Sequence, residues 1–250
     1  MAAQKRNRSL IVVGILAYVV FLLALFPINI AYKLVEPKGL PVSVEALSGT
    51  LWNGEAILKQ RDLGRLDLNW ELSPLSLLVG QVSAKVDVKS QKANLKGAVN
   101  ASASGVVEIS DTKGFVSADL VNQFIRRQRA SLAGDFELMG LNLIYDVNAK
   151  HAESASRRLI WQGGQVNYPM GRKKKSATMP MLVADLGADN GNLTANVVTT
   201  EGEQLGQDNL KNDGWAGVAI KRRLVDLAGE KWPGKGGADS TIFEVSEKVF

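Results

Sequence analysis

From Ser9 to Tyr32 the chain carries no charged side chain, and its densest apolar part, Leu10 to Phe26 (LIVVGILAYVVFLLALF), follows directly on Lys5, Arg6 and Arg8. At about 1.5 Å rise per residue, a helix over residues 10–32 is roughly 34 Å long, enough to cross a hydrocarbon core of about 30 Å. A helix that is apolar on every side needs lipid, or a large protein, around it. The competing reading is a cleaved secretory signal, which has the same basic start but an apolar core of only about 7 to 15 residues and a small-x-small cleavage site. The run here is longer, and Pro27 to Tyr32 offers no such site. Three segments are therefore expected: a cytoplasmic N-terminus (1–9), a transmembrane helix (10–32) and a β-rich body (33–250). Cytoplasmic flanks retain Lys and Arg, which places the short N-terminus inside and the body outside. In a bacterium such a chain is expected to be a single-pass protein of the cell inner membrane with its bulk in the periplasm.

Beyond Lys33 the period changes. Apolar residues alternate with polar ones at Val42 and Val44, at Leu66, Leu68 and Trp70, at Val82, Ala84, Val86 and Val88, and again through Leu95, Val99, Val107 and Ile109. This is the two-residue period of a strand with one face buried. Glycines recur at the breaks, so short strands joined by tight turns make an antiparallel meander. In the second half FELMGLNLIYDV, RLIWQGGQVNYP, MLVADLG, NLTANVVTT, residues 214–220 and residues 242–245 continue the pattern. Three short helices interrupt it. Ser73-Pro74 before LSLLV and Gly80 supplies an N-cap, a proline at the first position and a glycine stop. Within Ser117 to Ala130, Leu120, Val121, Phe124 and Ile125 share one helical face, and Arg222 to Ala228 closes at Gly229. The polar segments 202–212 and 234–239 are predicted as exposed loops. With neither an internal repeat nor βαβ alternation, the predicted fold is mainly β: a transmembrane helix, then a twisted, mostly antiparallel β-sheet domain with a few short helices and edges open to another chain.

Chemistry is thin in this sequence. There is no cysteine, which removes disulfides, thiolate metal sites and cysteine nucleophiles together. The one histidine, His151, falls in a polar stretch (148–158) and reads as a solvated loop residue. No serine sits in a nucleophile elbow, Trp161-Gln162-Gly163-Gly164 matches no phosphate loop, and acids such as Asp67 and Asp87 stand singly on the solvent side of strands. No catalytic residue, cofactor, metal or small-molecule substrate is expected. The net charge of +5 contains Lys5, Arg6 and Arg8, so the body is nearly neutral and has no nucleic-acid footprint. The run Arg172, Lys173, Lys174 and Lys175 is the sharpest charge cluster, read as a hairpin loop or else as a contact for anionic head groups or an acidic partner. The tryptophans are core anchors unless exposed at an interface. Trp52, Trp70 and Trp161, with the basic run, are the candidate interaction residues.

The order and spacing of LLALFPINIAYKLV, LPVSVEALSGTLWNGEA, LGRLDLNWELSPLSLLVGQVSAKVDV and LIWQGGQV resemble type II secretion system protein N, the general secretion pathway protein N family. The resemblance runs over most of Leu10 to Val166. Its most specific parts are Ser48 to Gly54 and the series Leu63 to Leu66, Trp70, Pro74 and Gly80. The run 172–175 and the segment 202–212 fit no part of it. The resemblance implies an inner-membrane, periplasm-facing accessory of the machine that exports folded proteins across the outer membrane, with other secretion subunits as partners and lipid around the N-terminal helix. A second reading is an envelope lipid-handling module whose apolar β-groove holds acyl chains. A continuous apolar groove open along one side favours lipid, whereas a filled core favours protein contact.

Overall fold

The structure, a computed structural model, describes residues 15, 17–18, 20–35, 42–61 and 63–248. Thirteen strands pair in a single antiparallel meander: β1 (Val42–Gly49), β2 (Asn53–Gln60), β3 (Gly64–Leu72), β4 (Gln81–Lys89), β5 (Ala93–Ser102), β6 (Val106–Val116), β8 (Phe136–Asp146), β9 (His151–Trp161), β12 (Leu182–Asp189), β13 (Asn192–Thr199), β14 (Gln204–Leu210), β15 (Trp215–Lys221) and β16 (Thr241–Lys248). A smaller sheet orders β11 (Lys173–Met179), β10 (Gly164–Met170) and β7 (Ser131–Leu132). The mainly antiparallel β architecture expected from the two-residue period is thus the observed one.

Because neighbours in sequence are neighbours in the sheet, turns alternate between two margins. One margin carries mostly tight turns and the two-turn 3-10 helix Pro74–Val79 between β3 and β4. The opposite margin carries every long insertion. These are α2 (Ala118–Ile125) with β7, the β10–β11 hairpin, and α3 (Arg222–Leu227) with the loop that follows it. The insertions fold onto the sheet and make the core there: Trp161, Ala177, Met179, Leu182 and Leu205 are buried, with Phe136, Val166, Val197 and Leu224 packed around them. The helices start as their sequences dictate. Ser117 is extended and its hydroxyl accepts from Leu120 N, and Ser73 and Gly80 bracket the 3-10 helix, Gly80 at φ +73°.

Three expectations are corrected, and the N-terminal helix is found interrupted among its described residues. The apolar run is not one helix over 10–32. Its residues 10–14, 16 and 19 lie outside the described residues, as does the N-terminus 1–9. Residues 20–24 are helical, Leu25 turns, and α1 (Ile28–Val35) begins anew beyond Pro27. Proline has no N–H and biases Phe26 away from the helical region, so the helix stops ahead of it. The freed groups pair with the sheet: Leu51 N donates to Phe26 O at 2.9 Å, and Pro27 bridges Thr50. Among the described residues no helix is long and apolar enough to cross a membrane.

The segment 202–212 is not a loop. It contains β14, paired with β13 and β15 on its two sides. A register shift at Val197/Val198 leaves Leu205 as the extra residue of a bulge, and its side chain is 0% exposed. His151 is the first residue of β9, half-buried and opposite Asp146, rather than in a solvated loop. Of the basic run, Arg172 alone is in the hairpin turn; Lys173, Lys174 and Lys175 begin β11.

Candidate functional site: the open apolar face

Cross-strand partners in a sheet point to the same side, so the register defines the two faces. Ala56, Leu68, Val88 and Leu95 stand in one rung, and Ala84, Val99, Ile109 and Leu143 in another. A third rung on the same side runs Ala93, Val116, Phe136, Trp161, Leu182 and Thr199. The reverse side reads Glu55, Asn69, Asp87 and Lys96, and further on Met139, Arg158, Asp185 and Asn196. Ion pairs there, such as Arg158–Asp185 at 2.7 Å, are exposed and contribute little to stability. One apolar face therefore continues across the whole meander.

Coverage of that face is uneven. The third rung lies under the insertions and is largely buried. Among β2 to β8 only Ala56, Leu66 and Ala93 are buried apolar side chains. Val86, Val88, Val99, Ile109 and Leu143 remain half-buried, and Val82 is 44% exposed. At the far edge Phe243 and Val245 are exposed too. Burial of this kind leaves apolar area in water that a bound molecule would remove.

Where the covered and open parts meet, a cleft of about 230 Å³ is lined by Phe136, Leu159, Trp161, Leu182, Val197 and Asp208. Asp208 sits on the apolar face, opposite Ala195 and Val218. Burial pushes its carboxyl above the ordinary carboxylate value, because the charged form loses water there. Sequence reasoning missed both Asp208 and Leu205. Their segment, QLGQDNL, has its apolar residues five apart because of the bulge, and no periodic signal survives.

The candidate interaction residues separate into three places. Trp52 and Trp70 both serve the β1–β2 connection, Trp52 from within it and Trp70 from β3. The Trp70 indole donates to Leu51 O at 3.0 Å, and its ring lies over Gly54, where a Cβ would come within 2.5 Å of it. Trp52 donates its indole N–H to Leu23 O at 2.7 Å, tying the N-terminal helical segment to the sheet. Trp161 is at the other margin, donating to Ala133 O and Gly134 O and stacked on Phe136 with ring centroids 6.3 Å apart. The strand period splits the basic run: Lys175 pairs across from Tyr168, Lys174 from Pro169 and Lys173 from Met170. Lys175 Nζ lies 2.5 Å from Glu230, whose other oxygen accepts from Tyr168. The Lys175 hydrogen bond holds the Glu230 carboxyl below its ordinary range, while burial and then Glu230 raise the Tyr168 phenol. Arg172, Lys173 and Lys174 stay in solvent. Among the described residues no three His, Asp or Glu side chains cluster as metal ligands.

The family model described as Type II secretion system (T2SS), protein N matches residues 41–224, most of the chain. The match runs from β1 to α3 and includes the basic run and β14, which the sequence resemblance left out; the N-terminal apolar run and β16 lie beyond it. No curated protein and no solved structure matches. A match of this extent carries one conclusion: the chain belongs to the type II secretion system protein N family.

Proposed function

We propose that this protein is a non-enzymatic component of type II secretion, held in the inner membrane by its N-terminal apolar run, with the β body in the periplasm presenting the open apolar face to other secretion subunits. Family membership makes it a type II secretion component in general. The observation that carries the finer reading is that face: a continuous apolar surface, filled at one margin and left half-buried over β2 to β8. The described residues of the N-terminal run support the anchor, because Val20, Phe21, Leu22 and Leu23 all turn outward on a helical segment that the sheet does not cover. Topology is read from reporter fusions behind residue 40, active outside the cytoplasm. Partnership is read from cross-linking in envelopes and from export in a deletion strain. Normal export together with no secretion subunit cross-linked to the body defeats the proposal.

A second reading, that the open face holds acyl chains, is favoured by the same half-buried rungs, whose lining is aliphatic and free of charge between Ala84 and Leu143. A photo-reactive side chain at Val99 separates the two. Cross-links to phospholipid support lipid handling; cross-links to a secretion subunit support protein docking.

A further inference from the structure

We propose that the 3-10 helix Pro74–Val79 is a second membrane contact, dipping its leucines into the bilayer beside the N-terminal apolar run; this rests on the reading of that run as a membrane anchor. The segment holds four exposed aliphatic side chains within five consecutive residues. Leu75 is 74% exposed, Leu78 83% and Val79 72%, with Leu77 also exposed. No charged residue lies between Glu71 and Lys85, and these two pair with each other on the reverse side of the sheet.

The exposure is built into the turn rather than left by fraying. Ser73 N donates to Ser83 O at 2.8 Å, and the Ser76 hydroxyl donates to Ser73 O and accepts from Ser83 N. Gly80 N closes on Leu77 O, and Gly80 O accepts from Ala103 N. Polar groups are thus turned inward and paired while aliphatic side chains point out, the disposition required of backbone that meets hydrocarbon.

Position selects lipid as the occupant. The 3-10 helix stands on the same margin as the β1–β2 connection, and one residue joins it to the N-terminal run. Trp52 donates its indole N–H to Leu23 O at 2.7 Å, and its own carbonyl accepts from Leu72 N at 2.6 Å, two residues before Pro74. If the run leaves the bilayer near Leu25, where its helix ends, Pro74–Val79 lies at the surface of the same leaflet. The α1 helix adds exposed Ile30, Leu34 and Val35 nearby. A lone anchor lets a body swing; a second contact fixes the pitch of the sheet on the membrane and points the open face one way.

The chain has no cysteine, so single-cysteine variants of the full-length protein accept one label each. Leu75→Cys, Leu78→Cys, Phe21→Cys and Arg172→Cys, labelled with an environment-sensitive fluorophore, are reconstituted in vesicles of phosphatidylethanolamine and phosphatidylglycerol. All four sites are exposed, so labelling spares the core. Labels at Leu75 and Leu78 are expected to be quenched by spin-labelled lipid, and to be quenched by aqueous iodide about threefold less than the label at Arg172 on the opposite margin. If Leu75 and Leu78 labels respond to iodide as the Arg172 label does while the Phe21 label stays in lipid, the second contact is overturned and the anchor stands. If the Phe21 label is aqueous as well, both fall. If the Leu75 and Leu78 labels alone are in lipid, the anchor falls, and with it the placement of this contact beside the N-terminal run.

Discussion

Two tryptophans do opposite jobs, and substitution separates them. Trp161 closes the core under the insertions with its indole N–H paired, so Trp161→Ala is expected to cost about 3–5 kcal/mol, read by denaturant unfolding. Trp52 is half-buried at a junction. Trp52→Phe loses only the bond to Leu23 O and leaves body stability nearly unchanged, which the same measurement checks. Gly134 shows how tightly the Trp161 corner is built. It sits at φ +83°, and a Cβ there would come 1.9 Å from Gly163 O, so Gly134→Ala is expected to destabilise by about 3 kcal/mol. Asp208 carries the pH signature. Its folded carboxyl binds a proton more tightly than in the unfolded chain, so its cost is fully present above the raised value and is relieved as pH falls through it. Asp208→Asn should therefore raise the unfolding temperature at pH 7, and the stability the parent gains on mild acidification through this group should be absent from the variant. Glu230 has the opposite sign. Its pairing with Lys175 stabilises above the ordinary carboxylate range and is lost as pH falls through the lowered value.

At the scale of elements, legibility followed the cleanness of the period. The strands β3 and β4 were plain from Leu66, Leu68 and Trp70 and from Val82 to Val88, because the reverse face of each is polar and the alternation is unbroken. The first half of β9, HAESASR, carries no strand period because small and polar residues occupy both its faces; its strand state comes from pairing with β8 and β12, a long-range cause. The segment holding β14 was lost for a related reason, since its bulge shifts the alternation by one residue at Leu205. Pro27 breaks the helix inside the apolar run, and the unbroken apolar composition on either side of it hides the break. The Ser73–Gly80 signals do specify a short helix, but its exposure is set by tertiary placement and has no local mark in the sequence. The β14 bulge yields a prediction at this scale. Leu205 is fully buried beside α3, so Leu205→Ala is expected to cost about 2–4 kcal/mol and to loosen α3, seen as faster amide exchange at residues 222–227.

At the scale of the molecule, what matters is that the insertions all gather on one margin, so that a single apolar face is sealed at one end and open at the other. No local pattern announces this, because coverage depends on which way each insertion folds back over the sheet. The open rungs have two physical explanations with different energetic signatures. Were Val86, Val99 and Ile109 ordinary core, replacing each by threonine would bury a hydroxyl without a partner and cost about 1–3 kcal/mol apiece. If the face is left open for a ligand or partner, the hydroxyls reach water, and threonine keeps the strand-favouring branched shape. The triple variant Val86→Thr, Val99→Thr, Ile109→Thr is thus expected to unfold within about 1 kcal/mol of the parent while losing cross-links from the face and impairing secretion. A large loss of stability would identify those rungs as filled core and remove the basis for any occupant. Unchanged stability with unchanged secretion would show that the open face is not what the protein uses.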